Sequence, residues 1–97
     1  MNNTSAGLIQ GIKSHQSLIG VIGLGYVGVP LAISFVNAGF QVLGFDEDAT
    51  KIASINSGKS YLYHIENAAL ASHVAKGKLQ ATSDMSRLDE PDVILIC

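Results

Sequence analysis

The sequence predicts an α/β domain built on a parallel sheet. Three features carry that expectation. Apolar segments rich in β-branched residues alternate with segments of helical periodicity. Those apolar segments run on with little polar alternation, as strands covered on both faces do. The helical segments are each closed by a glycine, at Gly39, Gly58 and Gly77. Strands that alternate with helices imply right-handed crossovers, and four such strands give the spatial order 3-2-1-4.

In chain order, Met1 to Gly7 is polar, and Leu8 to Lys13 can form one or two helical turns with Leu8, Ile9 and Ile12 on one side. Residues 1–17 therefore read as a lead-in, and residues 18–97 as the folded domain. Leu18 to Ile22 is the first strand. A helix follows from about Tyr26 to Ala38, with Pro30 in its first turn, where at most one ladder bond is lost. Gly28 and Ala32 form a small-residue stripe suited to lie on the sheet, and Val27, Leu31 and Phe35 a bulkier one. Phe40 to Phe45 is the second strand. Asp48 can cap the next helix, about Ala49 to Asn56, with Ile52 and Ile55 inward. Ser57 to Ile65 is a loop with two tyrosines, and Asn67 to Lys76 a third helix carrying Leu70, Ala71 and Val74 on one face. Leu79 to Thr82 is a short strand, Ser83 to Leu88 a turn, and Val93 to Cys97 the last strand.

Composition bounds the function. With 97 residues the chain is one domain at most, small for an enzyme, and its 47% hydrophobic and 14% charged residues suit a core rather than disorder. A domain of this size is marginal in the surface it can bury, and the apolar run Val93 to Cys97 stops without a turn signal. The expectation is a piece of a longer protein. A net charge of −2, with no basic run interleaved with aromatics, points away from nucleic acid. A single cysteine allows no internal disulfide, and no apolar run approaches the length of a membrane span. Together these favour a cytoplasmic protein with no nucleic-acid or membrane partner.

The chemistry-bearing stretch is Leu18 to Gly28, in which a strand breaks into Gly23, Gly25 and Gly28 in the pattern G-x-G-x-x-G. Gly23 lets the chain turn tightly, Gly25 lets backbone approach a pyrophosphate, and Gly28 lets the helix lie close to the strand. Leu24, Tyr26 and Val27 complete the turn, and the backbone N–H groups of Tyr26 and Val27 lie at the helix start, whose positive dipole end favours phosphate. An acidic residue, Asp46, ends the next strand 18 residues after Gly28. Its carboxylate suits the two hydroxyls of an adenosine ribose and repels a 2′-phosphate, so NAD is favoured over NADP, with Glu47 adding to that preference. Lys51, one turn into the second helix, can reach back toward the same ribose, although a solvated surface lysine is the commoner reading of such a position from sequence alone. A Rossmann-type nucleotide-binding unit is the reading. Its competitors are a glycine turn without ligand, or one serving FAD or S-adenosylmethionine.

Other candidates carry less. His15, His64 and His73 show no metal-ligand spacing with one another or with Cys97, so no metal is expected. Cys97, ending an apolar strand, reads as a buried structural thiol. Asp84, Asp89 and Asp92 read as turn and strand-leading residues. No catalytic residue is assigned.

The segments GVIGLGYVGVPLA and GFQVLGFDEDATKIASINSG resemble the N-terminal NAD-binding domain of the UDP-glucose/GDP-mannose dehydrogenase family. Tyr26-Val27 within the glycine motif, Pro30-Leu31 after it, Asp46, Lys51-Ile52, Asn56-x-Gly58, Thr82-Ser83-Asp84 and Asp92-x-Ile94 carry the resemblance, which spans about Leu18 to Cys97. Ser60 to Ile65 is similar to the UDP-N-acetylglucosamine 6-dehydrogenase branch and departs from the Pro-Ile-x-Glu-Pro-Gly block of the UDP-glucose branch. The resemblance implies oxidation of the C6 alcohol of a nucleotide sugar to a carboxylate in two NAD-dependent steps, through a thiohemiacetal and thioester on a cysteine. It places that cysteine, its supporting lysine and carboxylate, and a central helical region through which members pair as homo-oligomers, beyond this chain. Cys97 is then not the nucleophile, and the chain alone is expected to be inactive. Two other functions share these features: an NAD-binding regulatory or sensor module, and an NAD-dependent 3-hydroxy acid dehydrogenase.

Overall fold

A computed structural model describes residues 17–62 and 65–97. The expected helix at Leu8 to Lys13, and Tyr63, His15 and His64, lie outside the described residues. Four strands, β1 (Leu18–Ile22), β2 (Gln41–Phe45), β3 (Leu79–Thr82) and β4 (Val93–Ile96), form one sheet in the order β3-β2-β1-β4. All three pairings are parallel, with Ile19 opposite Val42 and Val93, and Val42 opposite Leu79. The helices are α1 (Gly28–Asn37), α2 (Ala49–Asn56) and α3 (Asn67–Ala75), and a short 3-10 helix (Met85–Asp89) precedes β4.

Local chemistry explains the boundaries. Asp48 caps α2, its carboxylate accepting from the N–H groups of Thr50 at 2.9 Å and Lys51 at 3.4 Å. All three helices stop alike. Gly39, Gly58 and Gly77 take positive φ, and their N–H groups donate back to Val36, Ile55 and Val74. Helix α1 begins at Gly28 rather than at Tyr26, because Tyr26 and Val27 belong to the turn that leaves β1. Pro30 is thus its third residue, where a missing N–H removes no intrahelical bond.

The core lies on one face of the sheet. Ile19 and Val21 of β1, Val42 of β2 and Leu79 and Ala81 of β3 meet Val29, Ala32 and Val36 of α1, Ile55 of α2 and Leu70 of α3. The sheet-facing stripe of α1 is therefore Gly28, Val29, Ala32 and Val36, while Val27 is 67% exposed. Right-handed crossovers place the β1–β2 and β2–β3 helices on the same face. The other face is covered unevenly: Leu43 and Phe45 are buried, but Ile94 and Ile96 are 40% and 81% exposed. Within this chain the last strand is thus covered on one face only.

Two side chains tie the chain across the sheet's edges. Asn56, at the end of α2, donates from Nδ2 to the Ala81 carbonyl at 2.8 Å and accepts from the Ala81 N–H at 2.9 Å. It thereby pairs with β3 as a further strand would. Asp92 accepts from the Leu18 N–H at 2.8 Å, and its own N–H donates to the Leu18 carbonyl at 2.8 Å, which fixes the start of β4 beside β1.

Candidate cofactor site

The carboxyl ends of the strands lie level. The Gly23 N–H donates to the Phe45 carbonyl, the Cys97 N–H to the Ile22 carbonyl, both at 2.8 Å, and the Asp46 N–H to the Thr82 carbonyl at 3.2 Å. The chain runs from β1 through β2 to β3 on one side, then crosses to β4 on the other, so the point where strand order reverses lies between β1 and β4. Open α/β sheets bind ligands outside the carboxyl ends at such a point. A cleft of about 260 Å³ opens there, lined by Gly23, Leu24, Gly25, Tyr26, Val27, Gly28, Asp46, Lys51 and Cys97.

The turn is built to close tolerance. Gly23 has φ +96°, and a Cβ on it would stand 2.6 Å from the Cys97 carbonyl oxygen. A Cβ on Gly28 would stand 1.6 Å from the Gly23 carbonyl oxygen, which is why α1 can start so close beneath the strand it follows. Gly25 is different. A Cβ there would meet nothing within 4 Å, and its φ lies outside the left-handed region. Every other glycine among the described residues has either a positive φ or a neighbour under 3 Å from where its Cβ would be. The fold thus gives no steric or conformational reason for glycine at position 25. The bare backbone there faces the cleft.

Leu24, between the first two glycines, is held from three sides. Its side chain is buried against the backbone of Gly44, its N–H donates to Asp46 Oδ2 at 2.9 Å, and its carbonyl accepts from the Tyr61 hydroxyl. Asp46 Oδ1 accepts from the Asp48 N–H at 2.9 Å, and Lys51 Nζ stands 4.0 Å from Oδ2. Burial, with 16% of the side chain exposed, pushes the Asp46 carboxyl up, but the N–H groups of Asp48, Leu24 and Glu47 and the Lys51 charge outweigh it and hold the group below its ordinary value. Asp46 is therefore a carboxylate at neutral pH, and its two oxygens offer about four acceptor sites, more than these N–H groups fill. Lys51 also lies over the Tyr61 ring, 5.8 Å from its centroid. No side chain caps the start of α1, and its first turn contains no acidic residue, so the helix itself brings no negative charge to its positive end.

Eight of the residues singled out in the sequence thus line one cleft. Glu47 does not. It is exposed and lines an adjoining recess of about 230 Å³ with Ile22, Gly23, Phe45, Asp46 and Met85. Three features escaped the sequence reading. Tyr61 reaches the turn from the α2–α3 loop, Met85 borders the recess, and Cys97 is an exposed thiol on the cleft rather than a buried one. The Cys97 expectation failed because the run Val93 to Cys97 is apolar throughout and hides which positions are covered. Among the described residues, no cluster of His, Cys, Asp or Glu suits a metal ion, and no helix is long and apolar enough to cross a membrane.

A parallel sheet of this order, with a glycine turn at its switch point and a carboxylate at the end of the neighbouring strand, defines a Rossmann-type dinucleotide-binding domain. Comparison with known proteins narrows it: residues 17–97 match the model of the UDP-glucose/GDP-mannose dehydrogenase family, NAD binding domain, and the chain belongs to that family. It is 38% identical over 80 residues to a UDP-N-acetyl-D-mannosamine dehydrogenase of Pyrococcus horikoshii, the match covering 81% of this chain and 19% of that protein. It is likewise 38% identical over 81 residues to a GDP-mannose 6-dehydrogenase of Pseudomonas putida, covering 81% of this chain and 18% of that protein. Among solved structures, a ternary complex of GDP-mannose dehydrogenase from Pseudomonas aeruginosa superposes with a TM-score of 0.76 at 37% identity, covering 81% of this chain and 19% of that one. The chain thus spans about a fifth of the length of these relatives.

Proposed function

We propose that this chain is the cofactor-holding part of an NAD-dependent nucleotide-sugar 6-dehydrogenase, and that the cleft at Gly23 to Gly28 receives the pyrophosphate of NAD. The observation that carries the reading is Gly25, a glycine with no reason in the fold and open space before it. In this reading the phosphates lie against Gly23, Leu24, Gly25 and Gly28 and the N–H groups of Tyr26 and Val27, at the uncapped start of α1. Asp46 accepts from the adenosine ribose hydroxyls with its spare lone pairs, Lys51 stands beside them, and Glu47 adds negative charge that disfavours a 2′-phosphate. The recess bordered by Met85 takes the adenine.

NAD held at this cleft would supply the hydride acceptor, and conversion of a sugar C6 alcohol to a carboxylate removes four electrons, so two equivalents would be needed. This chain's residues bind and orient the oxidant. None of the described side chains is placed as a base or nucleophile, and Cys97 borders the phosphate end of the cleft. The sugar-binding and oxidising groups belong to the rest of the protein. The Ser60 to Ile65 block supports an N-acetylhexosamine substrate, with UDP-N-acetylglucosamine as the specific reading. The named relatives act on UDP-N-acetylmannosamine and GDP-mannose. A cytoplasmic homo-oligomer fits such an activity.

Calorimetric titration of the chain with NAD and with NADP tests the site. Measurable NAD binding with NADP at least about tenfold weaker is expected. Equal affinity for both, or none for either, sinks the assignment. Mixed with NAD and a UDP-sugar, the chain alone should form no NADH.

A further inference from the structure

We propose that Tyr61 is a positioning residue for the cofactor, latching the glycine turn from outside the nucleotide-binding motif. The inference rests on the cofactor reading above and adds to it a residue from a separate part of the chain. The Tyr61 hydroxyl donates to the Leu24 carbonyl, and the Leu24 N–H donates to Asp46. The peptide groups on both sides of Leu24 are thereby fixed in orientation, one by a carboxylate and one by a phenol. The Leu24 side chain cannot turn either, since it rests on Gly44. The Leu24 carbonyl belongs to the same peptide group as the Gly25 N–H. Holding that carbonyl toward Tyr61 therefore aims the Gly25 N–H the opposite way. Gly25 gains freedom to approach a pyrophosphate from its missing side chain, and the same lack makes it floppy. The latch supplies the order that the glycine lacks.

Tyr61 is suited to the task. Burial and the nearby Asp46 and Asp48 charges push its phenol up to about 12, so it stays protonated and remains a donor. Its ring also lies beneath the Lys51 ammonium, which stands beside Asp46. One side chain thus positions both the turn and the cation. Its hydroxyl serves the first and its ring the second. The separation matters for the test, because Tyr61→Phe removes only the hydroxyl and Tyr61→Leu removes both.

Two measurements on the whole chain decide the matter. Amide hydrogen exchange without nucleotide reads the turn itself. Tyr61→Phe should speed exchange of the Leu24 amide, which Asp46 holds, about fivefold or more, with the amides of β1 and β2 unchanged. Titration with ADP and AMP reads the consequence. Tyr61→Phe should weaken ADP about tenfold and AMP far less, because only ADP carries the pyrophosphate. A general loss of stability would instead lower both affinities together and move the exchange of the strands. Tyr61→Leu should add a loss shared by ADP and AMP. Native exchange in the turn together with a native ADP-to-AMP ratio in Tyr61→Phe overturns the proposal. Failure of the unaltered chain to bind either nucleotide overturns the cofactor reading, and the exchange experiment still decides the latch.

Discussion

Two regions of this domain use the same devices to different ends. At the carboxyl end of β1, glycines bring backbone close and Asp46 bonds to the backbone of Leu24. At the far edge, Gly58 lets α2 end against Ala71 of α3, 2.8 Å from where a Cβ would stand, and Asn56 bonds to the backbone of Ala81. The far edge is saturated. Both backbone groups of Ala81 are met by Asn56, and Gly58 faces Ala71. The near end is left incomplete. Asp46 keeps lone pairs, Gly25 faces open space, and α1 starts without a side-chain cap. Stability explains the first region in full and the second only in part, and the unexplained part coincides with the proposed cofactor site.

The contrast is broken or sharpened most strongly by two single methyl groups. Gly28→Ala places a Cβ 1.6 Å from the Gly23 carbonyl oxygen. Neither backbone segment has room to move, so a loss of about 3 kcal/mol or more is expected in urea unfolding. A domain of this size holds only about 5–15 kcal/mol in total. Gly25→Ala, three residues earlier, should leave stability within about 0.5 kcal/mol, because the methyl meets nothing. It should nonetheless weaken NAD by about tenfold or more, since the methyl occupies the space that the pyrophosphate needs. Equal stability losses in the two variants would show that Gly25 too is structural.

The next effect is smaller and lies at the saturated edge. Asn56→Ala leaves the N–H and carbonyl of Ala81 without their partner. A cost of about 1–2 kcal/mol is expected, with NAD affinity of the folded molecules unchanged. A change in affinity at fixed folded fraction would mean that the two regions are coupled.

Legibility in the sequence followed the same division. Gly23, Gly25, Gly28 and Asp46 were readable because the turn is local and its spacing is set by one strand, one helix start and the next strand end. The helix stops at Gly39, Gly58 and Gly77 were readable for the same reason. Tyr61 was not, since its partner Leu24 is 37 positions away and nothing in the loop sequence specifies where a phenol will point. Asn56 was noticed as part of a block, but its bonds to Ala81, 25 positions on, follow only from how α2 lies on β3. Which face of β4 this chain covers is not legible, because four consecutive apolar residues have no period and coverage of each face is decided by what packs there. Glu47 was placed with Asp46 by adjacency. Both line the recess, and only Asp46 also borders the cleft of the glycine turn, a difference that adjacency in the sequence does not reveal.

The smallest effect concerns protons. Asp46 titrates below its ordinary value when folded, because N–H donors and Lys51 outweigh the burial that opposes them. Its unfolded counterpart titrates near 3.9, roughly the free aspartate value. The stability it contributes is therefore complete above that pH and is lost as pH falls through the depressed folded value. If the same carboxylate holds the ribose, NAD affinity should be flat from pH 7 to pH 5 and fall only in the acid range where Asp46 takes up a proton. Asp46→Asn isolates the group. An amide there keeps one acceptor but turns an N–H toward the donors of Leu24 or Asp48. NAD should weaken about tenfold at neutral pH, discrimination against NADP should relax, and the acid limb of the binding profile should flatten. An acid limb that persists unaltered in Asp46→Asn would assign it to another group and leave Asp46 as a brace for Leu24 alone, moving it from the incomplete region of the molecule to the saturated one.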